Sequence, residues 1–142
     1  MKTDTEIVLA VDPGREKCGL AVVTRPGAVL HQSVTPSAQV VQLIQRLRAQ
    51  HGFAVVALGN STSCKQWQAL LHQTIPDLTL CEVDETGSTL EARGRYWRAH
   101  PPSGWRRLVP LSLQVPPEPV DDFAAVILAL RHYRGTEPVG LP

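Results

Sequence analysis

The first regular structure of the chain is predicted in the stretch IVLAVDPGREKCGLAVV, residues 7–23. Its first part, Ile7–Val11, is a continuous apolar run of strand length, which predicts a buried strand. A Pro-Gly pair ends that run, and a second apolar run follows at Cys18–Val23. Because the connection is so short, the two strands are expected to form an antiparallel hairpin, with Asp12 at the end of the first.

The rest of the chain alternates apolar runs with amphipathic segments. Further strands are predicted at 28–34, 53–58 and 78–83, and helices at 37–51, 64–75, 88–100 and from about 120 to 135. Three hairpin strands followed by alternating strands and helices indicate an α/β fold with a mixed five-stranded sheet flanked by helices. The ribonuclease H-like fold has this order. We expect a single domain over residues 1–135, followed by a C-terminal tail at 136–142.

Composition excludes several classes of protein. With 142 residues, 43% hydrophobic and 19% charged, the chain can form one domain with a core and is not disordered. Its apolar runs are too short to span a bilayer, and its N-terminus does not resemble a signal peptide. Cys18, Cys64 and Cys81 form no zinc pattern and suggest a reducing compartment. These features predict a cytoplasmic protein without a membrane partner.

Charge is segregated along the sequence. No acidic residue lies between Glu16 and Asp77, five acids fall within 77–91, and five arginines follow within 93–117 without an acid. A basic field beside an acidic cluster suits a protein that holds a polyanion near bound cations. An unevenly charged but merely solvated surface is the alternative.

Carboxylates stand at the ends of three predicted elements. Asp12 ends the first strand, Asp84 and Glu85 follow the fifth, and Asp121 and Asp122 open the last helix. Neighbouring parallel strands end at the same sheet edge, and a helix N-terminus across that edge can add a third carboxylate. Converging oxygen donors predict a Mg²⁺ or Mn²⁺ site suited to phosphodiester hydrolysis. Taken singly, each position also fits a turn or a helix cap.

Ordered motifs carry a resemblance to a known family. They are VDPG at 11–14 with KCGLAV at 17–22, VDE at 83–85 with STLEAR at 88–93, and VDDFAA at 120–125. The chain resembles the YqgF/RuvX family of pre-16S ribosomal RNA nucleases and Holliday-junction resolvase-like proteins. A divergent branch seen in cyanobacteria is matched by DPGR at 12–15, GNSTSCKQW at 59–67 and RYW at 95–97.

The resemblance implies a metal-dependent endonuclease with a two-ion Mg²⁺ or Mn²⁺ site. Its catalytic carboxylates carry over to Asp12, Glu85 and Asp121, with Asp122 the alternative third ligand. Asp12 is predicted to bridge both ions, and Glu85 and Asp121 to anchor one each. Asp84 is predicted to be an outer ligand or a structural cap.

Two departures from the family pattern affect the predicted substrate. Thr86 stands where the family commonly has an arginine, whose role would be lost or moved to Arg93 or Arg95. The residues GNST at 59–62 replace a Gly-Leu-Pro loop. The alternative function is therefore a non-catalytic nucleic-acid-binding module in ribosome maturation or DNA repair. ATPases of the sugar-kinase type also begin with Asp-x-Gly followed by an apolar strand. They need two such domains, which 142 residues cannot supply.

Basic and aromatic residues are candidates for binding nucleic acid. Phosphate contacts are predicted for Arg15, Lys17, Arg93, Arg95, Arg98, Arg106 and Arg107. Trp105 is predicted to stack on unpaired bases, whereas Trp97 fits the core better. No base-reading motif is present, so structured or single-stranded RNA or branched DNA would be recognised by shape and backbone. Junction resolution would require a symmetric homodimer, while a monomer would favour RNA trimming.

Overall fold

The computed structural model describes residues 6–101, 104, 108 and 121–136. Five strands form one sheet in the order β3-β2-β1-β4-β5. The strands are β1 (Ile7–Asp12), β2 (Lys17–Thr24), β3 (Val29–Pro36), β4 (Val55–Gly59) and β5 (Thr79–Val83). The first three pair antiparallel, and β4 and β5 continue the sheet in parallel with β1. The predicted mixed five-stranded sheet is confirmed.

Helices cover both faces of the sheet. They are α1 (Val40–His51), α2 (Cys64–Thr74), α3 (Ser88–Ala99) and α4 (Asp121–Thr136), with a 3₁₀ turn at Ser37–Gln39. On one face, Leu9 and Leu20 pack with α1 and α2, and on the other, Val8 and Ala21 pack with α4. Since successive strand residues face opposite sides, continuous apolar runs in β1 and β2 fill both layers of the core. Helix α3 packs against α4.

Helix α4 is more deeply buried than its predicted apolar stripe implied. That stripe comprised Phe123, Val126, Ile127, Leu130 and Tyr133. In the structure the buried residues are Ala124, Ala125, Val126, Ile127, Leu128, Ala129 and Tyr133. Because the sheet lies on one side of α4 and α3 on another, the helix is covered around most of its circumference.

Several predicted element ends are corrected. Strand β3 continues to Pro36, and α1 begins only after the 3₁₀ turn. Strand β4 begins at Val55, although Phe53 before it is buried in the core. The sequence STLE at 88–91 predicts a capping box, but this prediction is wrong, because the N-cap is Gly87 and Glu91 pairs with Arg131 instead.

The three cysteines are free, with Cys18 and Cys64 buried and Cys81 partly exposed. Within the described ranges, no helix combines the length and the apolar character needed to cross a bilayer. The predicted loop at 101–119 lies almost wholly outside the described residues.

Candidate active site

Asp12 lies at the carboxyl end of β1, in the middle of the sheet. It pairs with Gly19 of the antiparallel β2, while the parallel β4 lies on the other side of β1. Burial, together with the negative charges of Glu85 and Asp121, raises the pKa of Asp12 to about 7. Three carboxylates from distant parts of the sequence therefore act on one another at this edge.

Glu85 follows β5 in a loop held by main-chain contacts. Its N–H donates to Oδ1 of Asn60 at 3.2 Å, and its carbonyl accepts from the N–H of Ser88 at 2.9 Å. Burial raises the pKa of this carboxyl, as does the neighbouring Asp84 charge. A Cβ at position 59 would overlap Oε2 of Glu85, so Gly59 leaves space for the carboxylate over the end of β4.

The first turn of α4 lies directly on β2. A Cβ on Gly19 would overlap the main-chain carbonyl of Asp121, so only glycine permits this approach. Since Gly19 is the strand partner of Asp12, the contact brings Asp121 beside Asp12. Asp122 is engaged elsewhere: its carboxylate accepts from Nε2 of Gln32 at 3.1 Å and from the N–H of Phe123 at 3.0 Å. The geometry thus favours Asp121 over Asp122 as the third site carboxylate.

The loop after Asp12 is anchored through one carbonyl. The Gly14 oxygen accepts from Nε1 of Trp67 at 3.3 Å and from Oγ of Ser37 at 3.3 Å. The thiol of Cys18 is a third donor, at 3.9 Å. Donors from α2, the 3₁₀ turn and β2 therefore fix the loop that follows the site aspartate.

The donor set fits a hard divalent cation. Asp12, Glu85 and Asp121 offer only carboxylate oxygens, the ligands that Mg²⁺ and Mn²⁺ prefer. Oε2 of Glu85 is buried and has no hydrogen-bond partner among the described residues, which suits an atom that accepts a cation. In the described part of the chain, no three His, Cys, Asp or Glu side chains are grouped closely enough to hold one ion.

Asp84 is a structural cap. Its Oδ1 accepts from the N–H of Thr86 at 3.0 Å and from its hydroxyl at 2.7 Å, and these bonds lower the pKa of Asp84. Arg131 of α4 donates to the carbonyl of Asp84 at 2.8 Å and pairs with Glu91. An arginine thus contacts this loop from α4, although Thr86 stands where the family has one.

The predicted nucleic-acid-binding residues fall into three groups. Arg15 and Lys17 are exposed beside Asp121, around a cleft of about 460 Å³. Arg93, Arg95 and Arg98 lie on α3, and none forms a hydrogen bond or ion pair with a site carboxylate in the described structure. Trp105, Arg106 and Arg107 lie outside the described residues. Trp97 is buried, as its core interpretation predicted.

The sequence analysis missed the residues that support the carboxylates. Gly19 is a glycine inside a strand, a local signal of close backbone approach that could have been recognised. Asn60, Gln32 and Arg131 carry no local signal, because their partners lie in other elements.

Comparison with protein-family models matches residues 6–97 to the Tex protein YqgF-like domain. The matched range contains Asp12 and Glu85 and ends before α4. Comparison with curated proteins gives no match.

Solved structures show a broader likeness. The chain is similar to RuvC of Thermus thermophilus at 16% identity, covering 92% of this chain and 97% of that chain, with a TM-score of 0.52. A candidate sugar kinase from Cytophaga hutchinsonii matches at 15% identity over 64% of this chain and 39% of its own, with a TM-score of 0.43. The first likeness shows the fold, which is ribonuclease H-like as predicted; the second is too weak to argue from.

Proposed function

Since the chain belongs to the YqgF-like family, we propose that it is a metal-dependent nuclease that hydrolyses phosphodiester bonds of nucleic acid. The observation that supports this is the convergence of Asp12, Glu85 and Asp121 at one edge of the sheet, where burial and the other two charges also raise the pKa of Asp12. Like charges at one site are stabilised when cations neutralise them. The substrate roles proposed are processing of pre-16S ribosomal RNA and resolution of four-way junctions in the cytoplasm.

Each site residue has a distinct role in this proposal. Asp12, Glu85 and Asp121 would hold Mg²⁺ or Mn²⁺, with Asp12 as the central ligand, because the charges of both other carboxylates act on it. A divalent cation supplies Lewis-acid polarisation of the phosphodiester and neutralises its charge. Arg15 and Lys17 neutralise the adjoining phosphates of the bound strand.

The proposed reaction is the hydrolysis of one phosphodiester bond by water. The oxygen of water bonds to phosphorus as the bond from phosphorus to the 3′ oxygen breaks. One proton leaves the water and one is gained by the 3′ oxygen, so the products are a 5′-phosphate and a 3′-hydroxyl. The Gly14 anchor keeps Asp12 oriented throughout, because three elements restrain the loop behind it.

The decisive experiment is cleavage of three labelled substrates with Mg²⁺ or Mn²⁺: a precursor ribosomal RNA end, single-stranded DNA and a four-way junction. We expect Asp12→Asn to lower the rate by at least about 100-fold, since even outer-shell partners of metal ligands contribute 10–100-fold. Asp77→Asn is the matched control, because Asp77 is exposed and paired with Arg48 away from the site.

Either outcome is informative. Cleavage by wild type and by Asp77→Asn alone supports the nuclease and identifies its substrate class. Full activity of Asp12→Asn refutes the site assignment. Binding without cleavage of any substrate by wild type would replace the proposal with the non-catalytic nucleic-acid-binding module.

A further inference from the structure

A polar cleft of about 420 Å³ lies between the edge strand β3 and helix α1, on the opposite side of the sheet from α4. Its polar lining residues are His31, Ser33, Thr35, Gln39, Gln42 and Arg46. None of the proposed catalytic carboxylates lines it, so it is separate from the candidate active site.

On its β3 side, the cleft is lined by polar residues at positions where apolar residues could pack into the core. Its polar lining residues on β3, His31, Ser33 and Thr35, pair in register with Val22, Leu20 and Cys18, each fully buried and apolar. Neighbours in register face the same side of a sheet, so apolar residues on β3 would simply extend the core beneath α1. An imidazole and two hydroxyls stand there instead. Polar groups in a half-buried cleft indicate a ligand more than they indicate packing.

These polar groups form a connected row. Nε2 of His31 and Oγ of Ser33 are 2.8 Å apart, and Oγ of Ser33 lies 3.2 Å from Oγ1 of Thr35. The row is therefore ordered before any ligand arrives, which reduces the entropy lost on binding. It ends beside Pro36, which pairs with Lys17 at the edge of the sheet that carries Asp12.

The charge of the cleft favours an anion. Arg46 lines it, no carboxylate does, and the sequence has no acid from Lys17 to Pro76. Burial lowers the pKa of His31, and the neighbouring Arg46 acts in the same direction. Guanidinium, amide and hydroxyl donors are the groups that proteins use to bind nucleic-acid phosphates.

We propose that the cleft between β3 and α1 binds the phosphodiester backbone of the substrate strand beyond the reacting phosphate. This inference rests on the proposed nuclease function and extends it to a second contact. Asp12, Gly19 and Val34 lie in register across three strands, so β3 is about 10 Å from Asp12 by strand spacing. Pro36 lines the cleft and pairs with Lys17, so one end of the cleft lies at the end of the sheet that carries Asp12.

The test compares two variants of α1 that carry the same chemical change. Gln42 lines the cleft, whereas Gln45 is equally exposed on the same helix but outside it. Both Gln→Glu variants are made in an Asp12→Asn background, so that bound substrate is not cut. Binding of fluorescent single-stranded RNA and DNA is measured by anisotropy over a salt series, with thermal unfolding as the check on folding.

We expect Gln42→Glu to weaken binding about fivefold or more, because a like charge at contact distance is repelled by that amount in water. Gln45→Glu should weaken binding less than Gln42→Glu, because residue 45 does not line the cleft. Arg46→Ala should reduce the salt slope by about 0.7–0.9, the value for one lost phosphate contact.

The failures of the two proposals are distinguishable. Strong binding that is equal in both Gln→Glu variants, with an unchanged slope in Arg46→Ala, overturns the cleft assignment and leaves the nuclease proposal standing. Equal weakening in both variants overturns it as well, since only general charge would matter. No binding of any nucleic acid by the Asp12→Asn protein overturns both.

Discussion

At the scale of single residues, Asp12 is the group whose surroundings conflict most with its charge. It follows four buried residues, Val8–Val11, and its pKa is raised to about 7 by burial, Glu85 and Asp121. In an unfolded chain the same carboxyl releases its proton near pH 4. The folded protein therefore retains a proton at Asp12 over a range in which the unfolded chain does not.

This difference predicts how stability depends on pH in the absence of metal. Between the unfolded value of 3.8 and the folded value of about 7, the folded state binds more protons, so the free energy of unfolding falls as pH rises. Urea unfolding with a chelator, at about pH 4.5 and about pH 7.5, measures this decline. Asp12→Asn should remove that part of the decline and should be more stable than wild type at the higher pH.

Asp84 provides a control, because its pKa is shifted in the opposite direction to that of Asp12. Hydrogen bonds from Thr86 lower the pKa of Asp84, so its contribution to stability is present above the unfolded value and lost as pH falls. Asp84→Asn should therefore destabilise the protein at neutral pH and keep the decline due to Asp12. Identical pH profiles for wild type and Asp12→Asn would show that Asp12 does not have a raised pKa.

At the scale of elements, the candidate site depends on how closely α4 approaches β2. Gly19 is in contact with the main chain of Asp121, which cannot move without moving the whole first turn of the helix. Gly59 is different, because the group it accommodates is the side chain of Glu85. One glycine therefore positions a helix and the other a carboxylate.

We expect Gly19→Ala to destabilise the protein by about 3 kcal/mol or more, the upper range for overpacking a rigid site. Gly94 in α3 is the matched control: a Cβ there meets only the flexible end of Arg98 at 3.8 Å. Gly94→Ala should raise stability by about 0.5–1 kcal/mol through helix propensity. Denaturant unfolding of both variants measures the contrast, and a neutral Gly19→Ala would contradict the close approach of α4.

The elements differ in how well the sequence predicts them. Buried strands such as β1 and β4 were located because their apolar runs reflect burial on both faces. The start of α3 was placed correctly but its cap was not, since Glu91 is engaged by Arg131 forty residues away. The resemblance already favours Asp121 over Asp122, whereas the contact that occupies Asp122 comes from Gln32 in β3. Local patterns predict elements, whereas side-chain partners are set by tertiary contacts.

At the scale of the whole molecule, the uneven distribution of acidic residues along the sequence becomes an uneven distribution in space. The acid-free stretch from Lys17 to Pro76 supplies β2, β3, α1, β4 and α2, while Glu85 and Asp121 come from the remainder of the chain. The catalytic edge lies where the two parts meet. In the proposed function, one part attracts the polyanion and the other holds the cations that face its reacting phosphate.

Metal binding should be visible in global stability. At a free Mg²⁺ or Mn²⁺ concentration about 100 times its Kd, the free energy of unfolding should rise by about 2.7 kcal/mol. Scanning calorimetry with and without a chelator measures the shift of Tm. Asp12→Asn should show little of it, and an equal shift in both proteins would mean that the ion binds away from Asp12.

The hydrogen bond between Trp67 and the Gly14 carbonyl allows the loop to be followed by tryptophan fluorescence. The indole N–H of Trp67 donates to the carbonyl that follows the site aspartate, and the ring is only 7% exposed. Indole emission responds to hydrogen bonding and polarity at the ring. Trp67 is therefore a built-in fluorophore at the catalytic loop, and subtracting the spectrum of Trp67→Phe isolates its signal from those of Trp97 and Trp105.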